Sequence, residues 1–108
     1  MKQNLELRKY SRVKNKRSTQ PLVRVQGGKI FLNRILVERI DCVFVDLFVD
    51  ENNQTILVKE GNDFKLCKTI HGRGVISASL FLKEFDLSEG FFPAEEHEGG
   101  YIFEYECN

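Results

Sequence analysis

The stretch that decides the fold is residues 28–60, GKIFLNRILVERIDCVFVDLFVDENNQTILVKE. It opens with a turn glycine and a short apolar run, Lys29-Ile30-Phe31-Leu32, which reads as a strand. Asn33 is a suitable helix N-cap, because its side-chain oxygen accepts from the free N–H groups of a first turn. Ile35, Leu36 and Ile40 then fall at helical spacing and predict a helix over Arg34–Ile40. A helix this short is not stable alone and has to be packed against something. Residues 42–49 form the strongest strand signal in the chain. Val43, Val45, Leu47 and Val49 fall on one face, and Cys42, Phe44, Asp46 and Phe48 on the other. A strand apolar on both faces is expected to be covered on both, and in a chain this small a partner subunit is one source of the second cover. Asp46 reads either as a charge kept for a partner or site, or as a hydrogen-bonded or paired carboxylate at a sheet edge. Asp50-Glu51-Asn52-Asn53 is a hairpin tip, and residues 54–60 return as a strand.

Upstream, Pro21 opens the strand Leu22-Val23-Arg24-Val25, and Gln26-Gly27-Gly28 turns the chain. Downstream, residues 61–63 read as a turn, 64–70 as a strand of mixed polarity and 71–74 as a loop. A second unit follows over residues 74–106. Val75-Ile76 starts it, and Ser77 or Ser79 caps a helix bearing Leu80, Phe81, Leu82 and Phe85. Phe91-Phe92 begins a strand that Pro93 restricts to an edge or a bend. Glu98-Gly99-Gly100 turns, and residues 101–106 form the last strand. A shift of 46 residues, without a gap, sets Gly28 on Gly74, Ile30 on Ile76, Leu36 on Leu82, Glu38 on Glu84, Ile56 on Ile102 and Glu60 on Glu106. The shared order of elements says more than these matches. The expected class is mainly β with two short helices (α+β), as a single β-rich domain over 21–108. Two strand-helix-hairpin units, 22–60 and 74–106, then make a small β-barrel, either within one chain or by dimerisation.

The 108 residues fit one domain, and 42% hydrophobic with 30% charged residues is a globular composition. No apolar run is long enough to span a membrane as a helix, and the polar N-terminus does not read as a secretory signal. Cys42, Cys67 and Cys107 form no CxxC pair and leave an odd count, which reads as reduced thiols in the cytoplasm. His71 and His97 lack ligand spacing, so neither a metal nor a cofactor is expected. There is no GxSxG, P-loop or HExxH, and the expectation is a protein that is not an enzyme. Cys67 and His71 are near in sequence, but a nucleophile and its base have to meet in space.

The formal charge of zero hides a strong polarity. Residues 1–25 hold eight Lys or Arg against one acid, a net of +7 that leaves −7 for the rest. From Glu84 onward there are eight acids and no Lys or Arg. Residues 1–20 are expected to be a mobile basic arm, too poor in apolar groups to offset the entropy of ordering.

The first unit resembles the AbrB/MazE-like family, the swapped-hairpin barrel of bacterial transition-state regulators and antitoxins. The resemblance rests on Val23-Arg24-Val25, Gly28-Lys29-Ile30-Phe31-Leu32, the helix, Val45-Asp46-Leu47-Phe48-Val49-Asp50 and Ile56-Leu57-Val58-Lys59. Asn33 stands where the family usually has proline, and the turn before the third strand is shorter. The resemblance implies a DNA-binding transcriptional regulator, bacterial or phage, acting as a homodimer or pseudo-dimer. Basic residues of the family's first strand, return strand and helix face DNA, and the matching positions are Arg24, Lys29, Arg34 and Arg39. The arm residues Arg12, Lys14, Lys16 and Arg17 add phosphate-neutralising charge. The alternative reading is a protein-interaction module, antitoxin-like or a phage or mobile-element accessory protein. Its partner would meet the acidic C-terminal unit through Phe91, Phe92, Tyr101, Phe103 and Tyr105, unless those aromatics form the core.

Overall fold

The computed structural model describes residues 20–108. The expected arm, with Arg12, Lys14, Lys16 and Arg17, lies outside the described residues apart from Gln20. The elements run β1 (Leu22–Gln26), β2 (Lys29–Leu32), α1 (Arg34–Ile40), β3 (Phe44–Asp50), β4 (Thr55–Glu60), β5 (Phe64–Lys65), β6 (Cys67–Lys68), β7 (Gly74–Ser77), α2 (Ser79–Glu84), β8 (Gly90–His97) and β9 (Gly100–Glu104). The fold is mainly β with two short helices, as the sequence predicts.

The strands pair antiparallel in the order β5-β3-β4-β9-β8-β1-β2-β7-β6. The two end strands, β5 and β6, are separated in the chain by Leu66 alone. Phe64 and Lys65 pair with β3, Cys67 and Lys68 pair with β7, and Leu66 N donates to Val43 O at 2.8 Å. The stretch 64–68 therefore draws the ends together into a nearly closed barrel made by one chain. Closure leaves little edge exposed for pairing with other chains.

Each unit lends its hairpin to the other. β1 pairs with β2 of its own unit and with β8 of the second. The stretch 64–68, which lies before the 74–106 unit expected from the sequence, extends that unit by taking the place β1 has in the first: it pairs with β7 and with β3 of the first unit. β2 lies against β7 and β4 against β9, so equivalent strands meet antiparallel about a local two-fold axis. The 46-residue shift relates β2 to β7, where Ile30 and Ile76 sit directly opposite each other, and relates the buried Leu36 to the buried Leu82. In the hairpins the shift keeps the pairing, setting Asp50–Thr55 on Glu96–Tyr101 and Val49–Ile56 on Glu95–Ile102. It does not keep the faces: Ile56 is buried while Ile102 faces out, so the ungapped match joins residues on opposite sides of the wall.

The core lies inside the barrel. Val23, Val25, Ile30, Leu32, Val45, Ile56, Val58, Ile76, Phe92 and Phe103 supply it from the strands, with Leu36 and Val37 from α1 and Leu82 from α2. Asn33 caps α1 as expected, its Oδ1 accepting from Leu36 N at 3.2 Å. At α2 the expected serine caps are replaced by Ala78, whose side chain makes no cap bond. That helix is instead held by its buried Leu82 and by Ala78 N, which donates to Gly28 O. Pro93 occupies the point at which β8 changes partner, opposite Leu22 on β1, while Ala94 next to it pairs with β9.

Four of the five C-terminal aromatics belong to the core. Phe92, Tyr101, Phe103 and Tyr105 are buried, and only Phe91 is exposed. The expectation that β3 is covered on both faces is overturned. Val45 is fully buried, yet Phe44 and Phe48 on the other face are 44% and 47% exposed. Val43 and Cys42, before the strand, also reverse their expected sides, since Cys42 is buried and Val43 exposed. The reason is that the strand begins only at Phe44, so the alternation does not extend back to them.

Asp46 resolves in favour of the hydrogen-bonded carboxylate. Its Oδ1 accepts from Asn62 N at 2.8 Å and Asp63 N at 3.0 Å, fastening the turn after β4. These two backbone bonds, with a smaller contribution from Lys59, hold the Asp46 carboxyl below its ordinary pKa. A depressed carboxylate pKa stabilises the fold above the unfolded value of 3.8 and loses that contribution as pH falls through the folded value. Asp46→Asn is expected to lower stability near pH 7 and to flatten the acid side of a stability–pH curve measured by urea unfolding. An acid limb as steep as that of the parent chain would refute this linkage.

Candidate nucleic-acid interface

Strand alternation sorts the face around β1, β2 and β7. Val23, Val25, Ile30, Leu32 and Ile76 point into the core, so Arg24, Gln26, Lys29, Phe31, Val75 and Ser77 point outward. Leu66 is buried, which turns its neighbours Lys65 and Cys67 outward.

The pairing registers arrange these side chains in rows across the barrel. One row runs Phe91, Arg24, Phe31, Val75, Cys67. A second contains Gln26, Lys29 and Ser77, and Lys65 lies opposite Phe44 on the far flank. Residues directly opposite on neighbouring strands have Cβ atoms about 4.5–5.5 Å apart, so members of a row touch. No Asp or Glu occupies any of these outward positions.

Arg24 is the best-held cation of the face. Its guanidinium lies 5.7 Å from the Phe31 ring centre and 5.5 Å from that of Phe91, and it donates to Gln26 Oε1. Each cation–π contact at such a half-exposed site is worth about 0.5–1 kcal/mol. The two aromatic neighbours hold the side chain flat along the surface, which lowers the entropy it loses on meeting a ligand. Beside it, the β1–β2 turn is fixed by Gly27 and Gly28, both at positive φ, and Glu89 Oε2 accepts from Gly27 N at 2.8 Å.

Lys65 is the cation that sequence reasoning misses. It occupies the place in the second unit that Arg24 holds in the first, since each faces a phenylalanine on the other unit's hairpin. The signal was hidden because the loop between the stretch 64–68 and β7 is longer than the β1–β2 turn. A uniform 46-residue shift therefore never sets Lys65 on Arg24.

The structure brings Arg24 and Lys29 onto one face and places the helix arginines elsewhere. Arg34 pairs with Glu38 one turn along α1 at 3.1 Å. It lines an open groove of about 600 Å3 with Lys68, His71, Glu38 and Asp41. Arg39 lines a separate groove together with Glu60, Glu96 and Tyr101.

Halfway round the ring, the outer face of β3, β4, β9 and β8 is acidic. Asp46, Asp50, Glu95 and Glu104 point outward there, with Lys59 as the cation and Phe48, Leu57 and Ile102 as a short apolar row. Lys59 Nζ lies 5.7 Å from the Phe48 ring centre. Among the described residues, no group of three or more His, Cys, Asp or Glu is placed to hold a metal ion, and no helix is long and apolar enough to cross a membrane. Burial raises the Cys42 thiol pKa, with Glu60 adding to the effect, which disfavours the reactive thiolate. No family model, curated protein or solved structure matches the chain.

Proposed function

We propose that this chain is a DNA-binding protein that uses the outer face of β1, β2, β7 and the stretch 64–68. The observation that carries the reading is Arg24 held between Phe31 and Phe91, with Lys29 and Lys65 on a face whose rows contain no outward acid. Lys and Arg on such a surface neutralise phosphates and release condensed counterions, which dominates affinity for DNA. The seven Lys or Arg of residues 1–19 add to that charge. The finer role is that of a non-catalytic transcriptional regulator of AbrB-like type. The exchange of hairpins between the two units supports it, because a swapped-hairpin barrel is what the resemblance implies. One chain supplies both units, so the DNA-binding body in this reading is a pseudo-dimer.

The test is fluorescence anisotropy on labelled DNA across a salt series. Arg24→Ala, Lys29→Ala and Lys65→Ala are each expected to weaken binding by about tenfold and to reduce the slope of log affinity against log salt by about 1. A fourth variant replaces Arg12, Lys14, Lys16 and Arg17 by Gln. Loss in that variant alone would remove the barrel face from the reading, and no binding at low salt would sink it.

The second reading, a protein-interaction module, is favoured by one observation. Phe48 and its apolar neighbours lie among Asp50, Glu95 and Glu104 on the opposite face. A protein partner bound by the full chain, and lost with Phe48→Ser while DNA binding is absent, would select it.

A further inference from the structure

We infer that the basic face is built for an unpaired nucleic-acid strand rather than for duplex, with Phe91 and Phe44 as base-stacking platforms. The inference rests on the DNA-binding reading of the same face and specifies its ligand. Phe91 is 64% exposed and Phe44 is 44% exposed, and Phe31 is partly exposed between them and the centre of the sheet. Both outer rings keep a large part of their surface open to solvent, although large apolar groups are ordinarily buried. Each ring stands beside a cation: Phe91 and Phe31 flank Arg24, and Phe44 lies opposite Lys65. A base stacked on such a ring brings its own phosphate toward the neighbouring charge. Aromatics beside cations on the outer face of a sheet is an arrangement by which unpaired strands are held without sequence readout, at about 1–3 kcal/mol per stacked base.

Duplex suits the face less well. Readout in the major groove needs a helix or a two-stranded ribbon that projects into it. The outward positions here lie on strands within the barrel wall. α1 spends Leu36 and Val37 on the core, and its Leu36 N–H is already taken by Asn33 Oδ1. α2 is six residues long and buries Leu82. The rings therefore meet a duplex only at its sugar-phosphate edge, where a flat π-face gains little, whereas unpaired bases present the faces they need.

The chain has no tryptophan, so Phe91→Trp introduces a single reporter at the proposed platform. The full-length chain is titrated at low salt with a twelve-residue oligothymidylate, a twelve-residue oligouridylate and a twelve-base-pair mixed duplex. At least one single strand is expected to bind about tenfold more tightly than the duplex and to quench the tryptophan, and the stronger of the two identifies DNA or RNA as the source. Phe91→Leu and Phe44→Leu keep apolar bulk but remove the ring. Each is expected to weaken single-strand binding by roughly five- to tenfold, and duplex binding by a smaller factor, the loss of the Phe91 ring's hold on Arg24. Duplex binding as tight as single-strand binding, or full single-strand affinity in both leucine variants, overturns the inference while leaving DNA binding intact. Failure of all three probes to bind sinks both.

Discussion

Phe103→Ala is expected to remove about 3–5 kcal/mol of folding stability, the range for deleting a large buried ring. Phe103 is 2% exposed and stands one residue from the end of β9, directly opposite Ile56 on β4 and Ala94 on β8. Its ring stacks with Phe92 at a centroid separation of 6.0 Å and an interplanar angle of 29°. Phe92 comes from the part of β8 that pairs with β1, so the stack joins the two strands of the C-terminal hairpin where that hairpin meets the first unit. The substitution removes both the ring's buried area and its partner's stacking surface, and closed strands on either side leave little freedom to collapse into the space. Domains of this size have about 5–15 kcal/mol in total, so the variant would be marginal or unfolded at room temperature. Urea unfolding followed by far-ultraviolet circular dichroism measures it. The midpoint should fall steeply with the m-value retained, and a loss below about 1 kcal/mol would show that the Phe103 ring is not a principal core contact.

The same residue shows how much of the fold is legible in the sequence. Alternation over residues 101–106 announces a strand, but it does not say which face is inside, because Tyr101, Phe103 and Tyr105 fit a partner surface as well as a core. The decision comes from β4 and β8 on either side of β9, a long-range pairing that no local window contains. Local signals did well where one chemical reason was sufficient. Asn33 capped its helix, Gly27-Gly28 turned, and Ile30 met Ile76. They failed where the chain traded one solution for another. Ala78 starts α2 without a side-chain cap because packing of Leu82 supports it, and β3 begins late, so Cys42 and Val43 exchange sides. Of the candidate interface, Arg24 and Lys29 were readable from β1 and β2. Arg34 and Arg39 were equally basic on paper, but the turn of α1 sends them to separate grooves beside carboxylates. Lys65 was unreadable because its position beside Phe44 depends on the seam of the barrel.

That seam is the subject of the largest expected effect of backbone chemistry. Leu66→Pro should cost at least about 3 kcal/mol, since proline inside a paired strand deletes a donor and its ring does not fit the ladder. The lost donor is Leu66 N, which reaches Val43 O at 2.8 Å at the one residue between the β3-paired and β7-paired halves of the stretch 64–68. The buried leucine side chain goes with it; Leu66 is 3% exposed, and its Cδ1 lies only 2.7 Å from where a Cβ on Gly74 would stand. Leu66→Ala separates the two contributions, because it removes the side chain, at about 2–5 kcal/mol, and keeps the N–H. If closure of the ring matters as argued, the proline variant is the less stable of the two, and its amide exchange accelerates in β3 and β7 before β4 and β9. Equal stability in the two variants would mean that the seam contributes only side-chain burial. An open seam would also release Lys65 from its position opposite Phe44, so under the proposed DNA-binding function the proline variant should lose nucleic-acid affinity even at temperatures where the remaining sheet is folded.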